Sequence, residues 1–244
     1  MLQLPTSALP QNDSESLSQR AETRFLLIEP DRFSRQSLKQ CLIGLGYGTI
    51  SETSEADIAL EVLEHQHFTH VILEPQYSFV SADNLIRLVL ELQPETTLIT
   101  LLSQPTIHEV FQMLASGAKG FLVKPYSIAS IDEAITTASV VEKIPDVILQ
   151  AENPTEALTT LILSSLDKLA IIKRQARKFK TAEYELPKRN LALQRAIKLA
   201  HQFLEYDDET FHELITDLCS QVSAPELQEG SRALARLRQN RQKM

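Results

Sequence analysis

From residue 24 to about residue 142, short apolar runs alternate with amphipathic segments. The runs lie at 25–28, 71–73, 98–102 and 121–123, and a weaker fifth lies at 49–52. Runs this short and this apolar suit strands buried on both faces, as a parallel sheet requires. Between them, apolar positions at helical spacing predict helices near 32–45, 55–66, 82–92, 106–116 and 127–142. In the first, Phe33, Leu38, Cys41, Leu42 and Leu45 form the inner face, and Gly46 and Gly48 supply the break. Ser54 is the expected N-cap of the second, with Ala56, Ala59, Leu60 and Leu63 turned inward. Five strands alternating with five helices indicate an α/β class, a doubly wound five-stranded parallel sheet. Its working crevice is expected at the carboxyl ends of the strands.

The pattern changes on either side of this region. Residues 1–23 are rich in Ser, Gln, Pro and Glu without periodicity, which predicts a disordered lead-in with order beginning at Arg24. Pro145 and Pro154 bracket a changeover, so 143–153 is expected to be a linker. Beyond it no strand run recurs, and 154–244 is predicted to be an all-α region. Asn153 caps and Pro154 opens its first helix. There Leu158, Ile162, Ser165, Leu169, Ile172, Ala176 and Phe179 alternate spacings of four and three, a heptad seam that suits a self-packing core or a coiled-coil dimer seam. Pro187 interrupts. Leu193, Ile197, Ala200 and Leu204 then mark a second helix, and Phe211, Ile215, Leu218 and Val222 a third. A last segment, set off by Pro225, carries Leu227, Leu234 and Leu237.

Charge changes the picture only locally. The net charge is −8, and residues 1–150 hold 9 Lys and Arg against 19 Asp and Glu. That balance gives no broad pull toward nucleic acid or an anionic membrane. Basic residues do gather at Lys168, Lys173, Arg174, Arg177, Lys178 and Lys180, and again from Arg232 to Lys243. No recognition helix or RNA-binding aromatic set accompanies them, so nucleic acid is not the expected partner. Two cysteines, Cys41 and Cys219, argue against a disulfide framework and suit a reducing, cytoplasmic setting. No segment has the apolar length of a membrane span. His65, His67 and His70 lack the further ligands a zinc site needs and read as surface histidines. Gly44, Gly46 and Gly48 follow a helix and precede a strand, the reverse of a dinucleotide-binding turn. No nucleophile–base pair, Walker motif or metalloprotease motif is present, so the chain is not expected to be an enzyme.

The strand ends carry the specific chemistry. The first ends Leu26, Leu27, Ile28, Glu29, Pro30, Asp31, and the third ends Val71, Ile72, Leu73, Glu74, Pro75. The fourth ends Leu101, Leu102, Ser103. The fifth stretch runs from Gly117 and Gly120 through Phe121, Leu122, Val123, Lys124, Pro125 and Tyr126. Over residues 24–142 this layout resembles the receiver domain of response regulators, the CheY-like superfamily of two-component signalling. The resemblance implies a flavodoxin-like sheet of strand order 2-1-3-4-5. It also implies a magnesium ion held by acids after the first strand, and an Asp after the third that accepts a phosphoryl group. A Ser or Thr after the fourth strand and the Lys of the Lys-Pro pair then grip the phosphoryl oxygens.

Carried across, Glu29 takes the first acidic place and Pro30 the second, with Asp31 one residue on. Glu74 takes the phospho-acceptor place. Ser103 is the switch hydroxyl, although its distance to Lys124 is one residue short and leaves Leu102 as the alternative. Phe121 falls at the aromatic switch position and Lys124 on the lysine. The departures bear on the chemistry. Pro30 has no carboxylate, which should weaken magnesium, so Glu29 and Glu74 are only weak metal candidates and no cofactor is expected. Glu74 is longer than Asp by a methylene, and in-line attack depends on ångström-scale placement. Glu74 is instead expected to reach Lys124 and hold the receiver near one conformation. The reading is a degenerate receiver acting as a signalling adaptor, with protein partners at 106–141 and at the C-terminal helices, and with a possible homodimer. Two alternatives stay open: a phosphorylation-responsive regulator with an unorthodox site such as Asp31, and a regulator whose C-terminal helices bind nucleic acid.

Overall fold

The computed structural model describes residues 20–75, 81–176 and 184–203, with residues 213 and 216 further on. The described residues fall into two compact units, one of residues up to 139 without 106–108, the other of 106–108 with those from Val140 onward. In the first, the elements are β1 (Arg24–Ile28), α1 (Arg32–Gly44), β2 (Thr49–Thr53), α2 (Ala56–His65), β3 (His70–Leu73), α3 (Ala82–Leu92), β4 (Thr97–Ser103), α4 (Ile107–Ala115), β5 (Gly120–Lys124) and α5 (Ile128–Val140). The strands form one parallel sheet in the order β2-β1-β3-β4-β5, the flavodoxin-like topology. All five apolar runs are strands.

Alternate strand residues feed two cores. Leu26, Ile28, Val71, Leu73 and Leu98 pack with Leu63, Leu85, Ile86 and Val89 from α2 and α3. Phe25, Leu27, Ile72, Ile99, Leu101 and Leu122 pack on the other face with Leu38, Leu42, Ile131 and Ile135 from α1 and α5. Each fully buried Leu or Ile contributes about 1.5–3 kcal/mol, so β3, buried at all four positions, anchors the sheet. The break after α1 is a Schellman closure: Gly46 N–H donates to Ile43 O at 3.0 Å and Tyr47 N–H to Leu42 O at 3.1 Å. Gly46 sits at φ +80°, which explains the glycine there.

Three sequence expectations are corrected. The cap of α2 is Glu55 rather than Ser54, and the Thr53 hydroxyl takes the Glu55 N–H at 3.2 Å. Order begins before Arg24: residues 20–22 make a helical turn, tied down because Gly48 leaves room for its backbone. A Cβ on Gly48 would lie 2.1 Å from Ala21 O. Residues 1–19 lie outside the described residues. The stretch 143–153 is not a bare linker, since it contains α6 (Asp146–Leu149) and buries Ile144, Ile148 and Leu149. Their apolar side chains give it a share in the second unit's core.

That second unit continues with α7 (Pro154–Ala176) and α8 (Leu186–Phe203), which pack on each other. Asn153 caps α7, its Oδ1 accepting from Glu156 N–H at 3.3 Å. Leu158, Ile162, Ser165 and Leu169 of the expected seam are buried, but so are Ala157, Leu161 and Leu166. The face is therefore broader than a two-position coiled-coil stripe. Pro187 marks the start of the second helix: it stands in the first turn of α8, where a missing N–H costs nothing. Phe179, Leu204, the helix expected around Phe211 to Val222 except residues 213 and 216, the segment from Leu227 to Leu237 and the basic tail lie outside the described residues. Among the described residues no helix is long and apolar enough to cross a membrane.

Candidate functional site at the strand ends

The parallel sheet delivers Glu29, Glu74, Ser103 and Lys124 to one edge, because each ends or follows a strand whose register is fixed by its neighbours. Glu29 N–H donates to Thr53 O at 3.1 Å and Glu74 N–H to Ile28 O at 2.8 Å, extending the ladder into the loops. Ser103 is the register partner of Lys124, so the strands place this hydroxyl, not the Leu102 side chain, beside the lysine. Leu102 is buried and Ser103 is exposed. Gln104 follows at φ +50°, a left-handed conformation uncommon for a residue with a side chain.

At the centre stands the Lys124 ammonium. Its Nζ is 2.6 Å from Glu29 Oε2 and 2.8 Å from Glu74 Oε2. Glu29 is 1% exposed and Glu74 2%, so both carboxylates are withdrawn from water. Burial disfavours the charged lysine, but its hydrogen bonds to Glu29 and Glu74 outweigh that effect and raise its pKa above the ordinary value. Two buried acids share one cation. Further donors soften the surplus negative charge: Glu29 Oε1 accepts from Asp31 N–H at 3.0 Å, and Glu29 Oε2 from the Ser34 hydroxyl at 2.9 Å. The Tyr126 hydroxyl donates to Ser34 O at 3.1 Å. Burial and, further down, the charge of Glu29 push the Tyr126 phenol upward against the pull of Ser34 and Lys124. The peptide between Lys124 and Pro125 is cis.

Asp31 is brought close only through its backbone. Its carboxylate is turned to its own helix, where it accepts from Ser34 N–H at 2.7 Å and caps α1, in place of the acidic-pocket role expected beside Glu29. Phe121 is half-buried on β5. Ser34 and Tyr126 carry no expected role, yet both belong to the network. Ser34 stands three residues after a capping Asp, and that spacing is the one signal for it in the sequence.

A divalent cation does not fit this donor set. Pro30 offers no carboxylate, Asp31 is engaged as a cap, and the ammonium of Lys124 lies within hydrogen-bond reach of both remaining acids. Among the described residues no group of three or more His, Cys, Asp or Glu is arranged to hold a metal. The arrangement can neutralise and fix charge at the strand ends. His65 and His67 are exposed, whereas His70, expected at the surface, is buried. It stacks on Phe25 with ring centroids 4.7 Å apart and contacts Ser139 Oγ through Nε2 at 3.0 Å. The Ser139 hydroxyl also donates to Ile135 O at 2.8 Å, and His70 Nδ1 lies 2.9 Å from Thr69 Oγ1.

Residues 25–136 match the family model of the response regulator receiver domain. The chain is 22% identical over 116 residues to the chemotaxis protein CheY of Thermotoga maritima, a match covering 48% of this chain and 97% of that one. Among solved structures it is similar to a CheY-like receiver domain protein from Methanospirillum hungatei, with 21% identity, 47% of this chain and 90% of that chain covered, and a TM-score of 0.44. It is also similar to the chemotaxis response regulator CheY4 of Vibrio cholerae, with 18% identity, 48% and 98% covered, and a TM-score of 0.44.

Proposed function

We propose, from the premise that residues 25–136 are a response regulator receiver domain of two-component signalling, that this receiver works without a phosphorylated aspartate. It is a pseudo-receiver: a cytoplasmic binding module, not an enzyme, held near one conformation from within. The observation that carries the reading is the Lys124 ammonium, engaged at once by Glu29 and by Glu74. The cation that would grip a phosphoryl oxygen already has an internal carboxylate, and the residue in the acceptor place is the one supplying it. Partner binding then selects among conformations where phosphorylation otherwise would.

The test is exposure of the purified chain to acetyl phosphate, and separately to beryllofluoride, with magnesium. The expected result is no mass increase on Glu74 and no change in the amide spectrum around Lys124. A stable adduct on Glu74 overturns the reading. The face formed by α4, β5 and α5, residues 106–141, is the proposed protein-docking face, and Ile128, 57% exposed, is its apolar point. The helical unit is proposed as the second interaction module or a dimerisation element. Light scattering of the full chain across a wide concentration range checks the latter, and a constant monomer mass removes it.

A further inference from the structure

The helical unit holds a pocket that the receiver reading leaves unused. Segment 140–145, the middle of α7 and the first half of α8 line a cavity of roughly 60 Å³. Five cations line it, Lys143, Lys168, Lys188, Arg189 and Arg195, against Glu142 as the acid among the described lining residues. Three of the five have carboxylate partners. Lys143 Nζ lies 2.8 Å from Asp146 Oδ1, Lys188 Nζ 3.6 Å from Glu185 Oε1, and Arg189 forms a two-pronged pair with Glu142 at 3.0 and 3.1 Å. Even so, Arg189 Nε is buried without a hydrogen-bond acceptor.

Lys168 and Arg195 are different. Among the described residues no hydrogen bond or ion pair engages either of them; Lys168 acts on Glu142 only through space. Lys168 is exposed at the rim, whereas Arg195 is half-buried in a lining that includes Leu161 and Ala196. Burial alone pulls its guanidinium down to about 10, with no acid offsetting the cost. At neutral pH the group is still charged. A half-buried cation without a counter-ion carries part of that desolvation cost, and an arriving anion would relieve it. Setting Glu142, Asp146 and Glu185 against the five cations leaves two positive charges over. A monocarboxylate would leave one of these unmatched, while a dianion matches both. The planar fork of an Arg beside a Lys point charge also suits the tetrahedral oxygens of phosphate. The Ser164 and Ser165 hydroxyls already donate to Leu161 O at 3.0 and 2.7 Å, so recognition falls to the cations.

We propose that this pocket binds a dianionic phosphoryl group, gripped by Arg195 and Lys168 with Arg189 alongside. The source is either inorganic phosphate or a small phosphate monoester, and the experiment separates them. Calorimetric titration of the full chain at pH 8 and constant ionic strength uses inorganic phosphate in one arm and glycerol phosphate in the other. Saturable one-site binding is expected in at least one arm, and the tighter arm identifies the source. Arg195→Met, which keeps the methylene packing, is expected to weaken binding by about tenfold or more, the loss of a charged hydrogen bond. Lys168→Gln, at the exposed rim, is expected to weaken it by a smaller factor, and Lys173→Gln, exposed on α7 and outside the lining, to leave it unchanged within about twofold. If Arg195→Met does not fold, the wild-type titration and Lys168→Gln decide. Absence of saturable heat in both arms, or binding that neither substitution weakens, overturns the proposal.

Discussion

At the strand ends two buried carboxylates share the single ammonium of Lys124. On the α1–α5 face of the same receiver the proportions are even. Arg20 meets Asp132 at 2.9 Å, Asp132 also accepts from the Tyr47 hydroxyl at 3.0 Å, and Arg20 lies over the Tyr47 ring. The carboxylates of the first cluster are withdrawn from water and outnumber its cation, which stays 22% exposed. The second is a quarter to a third exposed and nearly neutral. Their neighbours titrate differently as well. Lys124 has a raised pKa, so its contribution is fully present below the ordinary lysine value and is lost as pH rises through the folded one. His70, packed against Phe25 on the second face, is lowered to about 4 by burial and, less, by Lys119. Its contribution is present above about 6.5 and is lost as pH falls through about 4. Tyr47, raised to about 12 mainly by burial, joins Lys124 on the alkaline side. His70 thus titrates on the acid limb, and Lys124 and Tyr47 on the alkaline one.

The largest expected effect comes from stripping the first cluster of its cation. Lys124→Met leaves Glu29 and Glu74 buried without a counter-charge and is expected to cost about 3–5 kcal/mol in urea denaturation. A cost under about 1 kcal/mol would place the strand-end cluster on the same footing as an exposed pair. Next is the acid limb. Stability is expected to fall by roughly 3 kcal/mol in total as pH drops from about 6.5 to about 4, the cost of protonating His70. His70→Gln should flatten that limb while leaving the alkaline limb in place; an unchanged acid limb would remove His70 from the comparison. Asp132→Ala, in the more exposed cluster, is expected to cost about 1–2 kcal/mol after allowing for solvent screening, and to shed the order of residues 20–22 in amide exchange. The smallest change is a gain. Gln104→Gly relieves a positive φ beside Ser103 and should stabilise by up to about 1 kcal/mol in the same denaturation assay, touching neither cluster.

The strands were legible because burial on both faces writes itself as an unbroken apolar run; β3 has no polar residue between Val71 and Leu73. Glu29, Glu74 and Lys124 were legible because strand ends and a Lys-Pro pair fix their places along the chain. Other features depend on tertiary partners that no spacing encodes. Gln93 looks like any helix-end polar residue, yet its side chain takes Phe68 N–H at 2.9 Å and donates to Leu63 O and Gln66 O at 2.8 and 2.6 Å. Ser34 and Tyr126 meet across 92 residues. His70 was read with its exposed neighbours His65 and His67, although it abuts the apolar run at Val71 and is the first residue of β3. At 143–153 two prolines outweighed Ile144, Ile148 and Leu149, whose apolar side chains were the better guide.

The tie between Arg20 and Asp132 spans 112 residues, nearly the whole receiver. Loop closure over so long a separation is entropically expensive until the intervening sheet exists. Residues 20–22 should therefore be the last stitch placed during folding and the first to loosen under strain, a seam that comes undone without unravelling the cloth.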